Sequence, residues 1–278
     1  MPFRSEFRRC TVKPDVWTWR RHILWLWKFY RWRNNTFREP VPATGAADTT
    51  AILLSYKRPQ NIDLIIRLLL ATPSIKEVIV SNNNPDLRLA PWISVRDPRV
   101  TLIEQPVRRF CRHRFELARR SDSKYFLAVD DDLFLMPSQM ETLCGALRNH
   151  PEIPHGICGQ IYNSWTGELY MPIAHQNTSV NVLSRVYAFS AEHVREFFNL
   201  VERMGFHPWT RVWSDHPVWD DLLISFSGRA LPRIHDIGAF LDSPFQDDAD
   251  IALSKQEGFK AQRFDVFCSL RKLKVFDR

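Results

Sequence analysis

Three consecutive carboxylates, Asp130, Asp131 and Asp132, end the apolar run Tyr125–Val129 and are followed at once by Leu133, Phe134 and Leu135. Wedged between apolar segments, the triplet is not a solvated charge run. Adjacent carboxylates repel one another and resist burial unless a cation sits among them. Hard divalent ions such as Mg2+ and Mn2+ suit that role, since they take oxygen ligands, commonly one or two carboxylates plus the phosphates of a substrate. Arg58, Arg112 and Arg114 offer the opposite charge, and a planar guanidinium forks onto phosphate oxygens. A second acidic pair, Asp220 and Asp221, heads the apolar stretch Leu222–Phe226. At such a place acids either cap a helix or form a second functional pair. Together these residues point to metal-assisted handling of a phosphate-bearing substrate.

The elements that must position these groups read as alternating strands and helices. Thr50–Tyr56 is a short apolar run that suits a buried strand, and Asn61–Leu70 carries Ile62, Ile65, Ile66 and Leu69 at helical spacing. Lys76–Ser81 and Val100–Glu104 read as further strands, a basic helix is expected over Arg109–Arg120, and Tyr125–Val129 is a fourth strand. This alternation predicts an α/β fold with a doubly wound, mainly parallel sheet, in which ligands bind beyond the carboxyl ends of the strands. Arg58, Asn82 with Asn83, and the triplet all fall at such ends.

The net charge of +7 over 278 residues suggests a nucleic-acid partner until it is mapped. Residues 1–39 alone carry ten Lys/Arg against Glu6, Asp15 and Glu39, so they account for all of it. The rest of the chain is neutral, and no nucleic acid is expected as a partner. Cys10, Cys111, Cys144, Cys158 and Cys268 are scattered without a Cys-x-x-Cys pair, which predicts reduced thiols and not a zinc site or disulfide framework.

Five of the ten tryptophans lie in residues 16–33. On a helical wheel Arg20, Arg21, Lys28 and Arg31 share a sector about 100° wide, with Trp19, Ile23, Leu26, Trp27, Phe29 and Tyr30 on the other side. That pattern suits a helix lying in a membrane interface, and equally one packed on the flank of a domain. No run approaches the ~20 apolar residues of a membrane span, and no signal-peptide pattern is present. The expected organisation is a basic Trp/Arg-rich extension and linker over 1–49 and a catalytic domain over 50–278. The expected location is cytoplasmic, with membrane-surface contact through residues 16–33.

Several motifs in register carry a resemblance. A strand ends in Ser55-Tyr56-Lys57-Arg58, a Val78-Ile79-Val80 strand runs into Asn82-Asn83, and Arg114-Phe115 precedes the Asp130-Asp131-Asp132 strand end. Val182–Phe189 with the helix Ala191–Met204, the pair Asp220-Asp221, and Ser254–Leu270 follow in order. Over residues 50–270 this resembles the exostosin-like glycosyltransferases, family GT64 of the GT-A fold. The resemblance implies transfer of N-acetylglucosamine or a related hexose from a UDP-sugar to a glycan, lipid or small-molecule acceptor, with Mn2+ (or Mg2+) and retention of configuration.

It also implies roles. Arg58 would contact the donor diphosphate, Asn82 or Asn83 the nucleoside, and Arg114 the nucleotide. Asp132, with Asp130, would hold the metal, and Asp130 and Asp131 would bind ribose and sugar. Asp221, paired with Asp220, would be the acid at the reacting carbon, with His216 just upstream. The chain departs from the family pattern at Val218-Trp219 and at Gly159–Asn163, where donor sugar and acceptor are contacted. A nucleotidyltransferase or phosphatase would need a second carboxylate set for two metals, for which Asp220 and Asp221 are the candidates. A catalytically silent scaffold of the same fold is the alternative from outside enzymology.

Overall fold

Strand β1 (Thr49–Ser55) is buried at every position, as is β4 (Tyr125–Val129). Unbroken apolar strands of this kind belong in a sheet covered on both faces. Their side chains alternate between two cores: Ala51, Leu53, Leu127 and Val129 face one, and Ile52, Leu54, Phe126 and Ala128 the other. The computed structural model describes residues 23, 24, 26–32, 41–165, 167–169, 173–205, 220–243 and 258–273.

Helix α1 (Pro59–Leu70) follows β1 directly, with Pro59 pre-set for the first helical turn and Ile62, Ile65, Ile66 and Leu69 buried. Strands β2 (Ile75–Asn82) and β3 (Val100–Glu104) come next, then α2 (His113–Arg119), β4, β5 (Leu133–Phe134) and α3 (Pro137–Asn149). The basic helix thus starts later than expected, at His113, with Arg112 as its N-cap. Strand β6 (His155–Gln160) is followed by the short β7 (Tyr162–Asn163), β8 (Glu168–Leu169), β9 (Ile173–Ala174) and β10 (Thr178–Ser179). The long β11 (Val182–Ser190) leads into α4 (Ala191–Arg203), where the Ser190 hydroxyl accepts from the His193 backbone N–H. Helix α5 (Asp220–Ser225), β12 (Arg233–Ile234), β13 (Leu241–Asp242) and α6 (Phe259–Leu273) complete the described elements.

Among the described residues the main sheet runs β10-β12-β6-β11-β4-β1-β2-β3, with β9 paired to β6. The block β4-β1-β2-β3 is parallel, and β11 joins β4 antiparallel. From β1 the chain steps outward to β2 and β3, then returns to place β4 on the other side of β1. That reversal makes the carboxyl ends of β1 and β4 the topological switch point, where ligands of open α/β sheets bind. Helices α1 and α3 cover one face, and α2, α4, α5 and α6 the other.

The N-terminal helix, helical at residues 23, 24 and 26–32, corrects the wheel. Phe29 and Trp32 are buried, their rings 5.7 and 6.0 Å from that of Phe134, whereas Ile23, Trp27 and Tyr30 are exposed. Phe29 therefore does not share a face with Ile23, Trp27 and Tyr30, because the domain offers it the apolar edge at Phe134. Residues 41–48 are tied to α3: Thr44 donates from its N–H and hydroxyl to Glu141 at 2.6 Å, and Arg148 pairs with Asp48. No helix among the described residues is long and apolar enough to cross a membrane, and the four described cysteines are free thiols.

Candidate active site

The triplet leaves β4 at the switch point, and its three carboxylates part company. Asp131 turns inward, with Oδ1 accepting from Arg58 Nη1 at 2.8 Å and Oδ2 from the Tyr56 N–H at 3.0 Å. Asn61 Nδ2 donates to the Asp131 carbonyl at 2.8 Å. Both Asp131 oxygens are committed to joining the loop after β1 to the loop after β4. Burial raises the Asp131 carboxyl above its ordinary range, outweighing the nearby Arg58.

Asp132 stays partly open. Its carboxylate lies 3.5 Å from Arg58 Nη2 and 4.0 Å from Arg185 Nη2, and its carbonyl accepts from the Ser243 N–H. Burial, then the charges of Asp130 and Asp131, push its carboxyl up to about 7. Asp130 accepts from Arg114 Nη2 at 2.8 Å.

Arg114 joins the two acidic groups of the sequence. Buried on α2, it also lies 3.6 Å from Asp220 through Nε, donates from Nε to the Cys111 carbonyl, and sits over the Tyr187 ring. Burial, followed by the adjacent Asp221, pushes the Asp220 carboxyl up to about 7. Helix α5 is held on β11 by the Leu183 N–H, which donates to Ser225 Oγ at 2.7 Å. Asp130 and Asp220 thereby meet at one buried guanidinium, while Asp132 faces Arg58 and Arg185.

Asn82 and Asn83 end β2 at the same edge of the sheet, but both are buried. The Asn82 amide donates to Glu104 and to the Leu87 carbonyl and accepts from the Asn84 N–H, so its polar atoms already shape the turn. Asn83 Oδ1 accepts from Ser81 Oγ. His216 and the acidic stretch Asp247-Asp248-Ala249-Asp250, which the sequence reads as a loop, lie outside the described residues.

A family model described as glycosyl transferase family 2 matches residues 50–205, just over half of the chain. The chain belongs to that family. It is a glycosyltransferase with a GT-A-like fold. No curated protein matches it in sequence. Among solved structures it is similar to CMP:2-keto-3-deoxy-manno-octonic acid synthetase complexed with CTP, at TM-score 0.46 and 13% identity over 71% of this chain and 94% of that one. It is also similar to the mannosyltransferase PcManGT from Pyrobaculum calidifontis in complex with GDP-Man and Mn2+, at TM-score 0.42 and 15% identity over 78% of this chain and 64% of that one.

Two residues of this glycosyltransferase were not singled out by motif. Arg263 of α6 forks onto Asp221, Nη1 to Oδ1 at 2.6 Å and Nη2 to Oδ2 at 2.7 Å, and also donates to Gln160 Oε1. Gln160 is set there by its neighbour: a Cβ on Gly159 would come 2.6 Å from Val180 Cγ2 and 2.8 Å from the Val182 carbonyl, so only glycine lets β6 lie this close. Arg185 interrupts β11 at a register shift with φ 69°, pairs with Asp242 and approaches Asp132. Its sequence signal was a charged residue inside a largely apolar strand.

Among the described residues no group of three or more His, Cys, Asp or Glu side chains is placed to hold a metal by itself. A cation here would take Asp132 and Asp130 from the protein and oxygens from a bound phosphate. The donor set fits that use, since Asp132 is crowded by two like charges and partly open.

Proposed function

We propose that this glycosyltransferase moves a hexose or N-acetylhexosamine from a UDP-sugar to a hydroxyl acceptor, with a divalent cation, Mn2+ or Mg2+, at Asp132 and Asp130. The observation that carries the reading is the convergence of two acidic groups, distant in sequence, on Arg114 at the sheet's switch point. A bound divalent cation would neutralise charge on the departing diphosphate. Arg58 and Arg114 hold fixed positive charge beside the triplet, the kind of preorganised stabilisation that acts where charge develops. In the transfer, the bond from the anomeric carbon to the diphosphate oxygen breaks, a bond to the acceptor oxygen forms, and the acceptor proton passes to the departing diphosphate.

Asp221, held in one orientation by Arg263, is the candidate for the group facing the reacting carbon. The exostosin-like motifs favour retention and a UDP-linked donor; that finer placement rests on the motifs. Asn83 remains the better nucleoside contact of the two asparagines, given the bonds that engage Asn82. A cytoplasmic location belongs to the same proposal.

Calorimetric titration with a panel of UDP- and GDP-sugars, with and without Mn2+, tests the reading alongside nucleoside diphosphate release. Metal-dependent binding of one UDP-sugar with slow turnover supports it. Binding of no donor under any condition sinks the donor site.

A further inference from the structure

Four of the seven exposed large apolar side chains among the described residues sit on the N-terminal helix: Ile23, Leu24, Trp27 and Tyr30. Ile23, Trp27 and Tyr30, at spacings of four and three residues, form one stripe along its outer side. They are 59%, 59% and 47% exposed. This is not a core face awaiting its partner, because the inner side is already used: Phe29 and Trp32 are buried against Phe134. Lys28 and Arg31 are exposed beside the stripe, and the Arg31 guanidinium lies 5.5 Å over the Trp27 ring.

We propose that this helix seats the protein on an anionic membrane surface, with Ile23, Trp27 and Tyr30 entering the headgroup layer and Lys28 and Arg31 meeting lipid phosphates. Indole and phenol rings favour the water–hydrocarbon boundary, and flanking cations favour an anionic leaflet. The charge distribution selects this occupant. Residues 1–39 carry a net +7 while the rest of the chain is neutral, so a second copy docking on the same stripe would bring two strongly cationic segments together. A lipid surface instead supplies an apolar layer and negative charge at once. The inference stands apart from the donor chemistry and survives if no sugar donor binds.

The test uses the full chain with phosphatidylcholine vesicles, with and without phosphatidylserine, read by co-sedimentation. The wild type is expected to pellet with the anionic vesicles and to be released by salt. The triple variant Ile23→Asp, Trp27→Asp, Tyr30→Asp should lose that partitioning by roughly ten-fold or more while its unfolding midpoint holds, since Phe29 and Trp32 are untouched. The pair Lys28→Glu, Arg31→Glu should weaken binding by roughly ten-fold with the stripe intact. Wild type that ignores anionic vesicles overturns the proposal, and so does a triple variant that binds as well as wild type. A vesicle-free dimer that the triple variant converts to monomer would also overturn it, assigning the stripe to a second copy.

Discussion

Arg263 reaches across from α6 to grip Asp221 with both terminal nitrogens, at 2.6 and 2.7 Å. The pair links the C-terminal helix to the head of α5, so the orientation of a candidate reacting-centre carboxylate depends on an arginine 42 residues away. A lysine in that place keeps charge but cannot fork onto two oxygens. Arg263→Lys is therefore expected to lower kcat by about 10²-fold, as loss of fixed geometry does, with donor Kd unchanged. Arg263→Ala leaves Asp221 unpaired and should destabilise the fold by about 3–5 kcal/mol. Steady-state kinetics, donor titration and unfolding curves separate these outcomes; a KM effect alone would make Arg263 a donor contact.

Asp132 carries a pH signature. Its folded carboxyl is pushed up to about 7 by burial and by Asp130 and Asp131, against ~3.9 for a free Asp. Between those values the folded chain binds more protons than the unfolded one, so stability falls as pH rises through that window. Asp132→Asn cannot ionise and escapes the loss. The metal-free variant should be more stable than wild type at pH 8, by on the order of a few kcal/mol, with the gap closing toward pH 4. Mn2+ should raise the wild-type midpoint at pH 8 and leave the variant's unmoved. A variant that loses stability at pH 8 would make the Asp132 charge a structural asset.

The four parallel strands lie close to where the sequence puts them, and β1 and β4 most plainly, because a strand covered on both faces needs apolar residues at nearly every position; β3, at the sheet edge, is only half-buried. The triplet was legible for the same reason, being charged where burial forbids charge. What each Asp does there was not legible. Asp131 spends both oxygens on Arg58 and Tyr56, which depends on how two loops meet and not on local pattern. The Arg263–Asp221 pair spans distant elements, and no spacing rule encodes it. On the N-terminal helix, a wheel sorts polar from apolar but cannot say which apolar residues find a core. Phe134 decides that.

Arg185 holds a left-handed backbone, φ 69°, in the middle of β11. A residue with a Cβ in that region costs about 1–3 kcal/mol, tolerated where surroundings or function require it. Arg185→Gly removes the strain and the guanidinium together. Relief of the strain is set against loss of the Asp242 pair and a freer unfolded chain, so stability should change by less than about 1 kcal/mol, while donor affinity with Mn2+ falls about ten-fold. If stability drops and donor affinity holds, the arginine serves the β11 bend through Asp242 and has no part in binding.

His155 and His235 share a hydrogen bond, Nδ1 to Nε2 at 2.9 Å, and His155 Nε2 lies 2.9 Å from the His150 carbonyl. Since Nε2 of His155 must donate to that carbonyl, its Nδ1 is left to accept from His235, and the His155 ring is neutral. Protonating Nδ1 of His155 would set donor against donor. Burial lowers both pKa values, with His235 brought to about 4. The charges of His150 and Arg233 further disfavour charge on the pair, while the hydrogen bond to the His150 carbonyl and then Glu152 oppose them at His155. A His with a depressed folded pKa contributes stability that is present above ~6.5, the unfolded value, and is lost as pH falls toward the folded one. The unfolding midpoint should therefore drop by several degrees between pH 7 and pH 4.5. His235→Gln can still donate to Nδ1 but carries no titrating ring. Its midpoint should fall less over the same range, and equal falls in the two proteins would assign the acid sensitivity elsewhere.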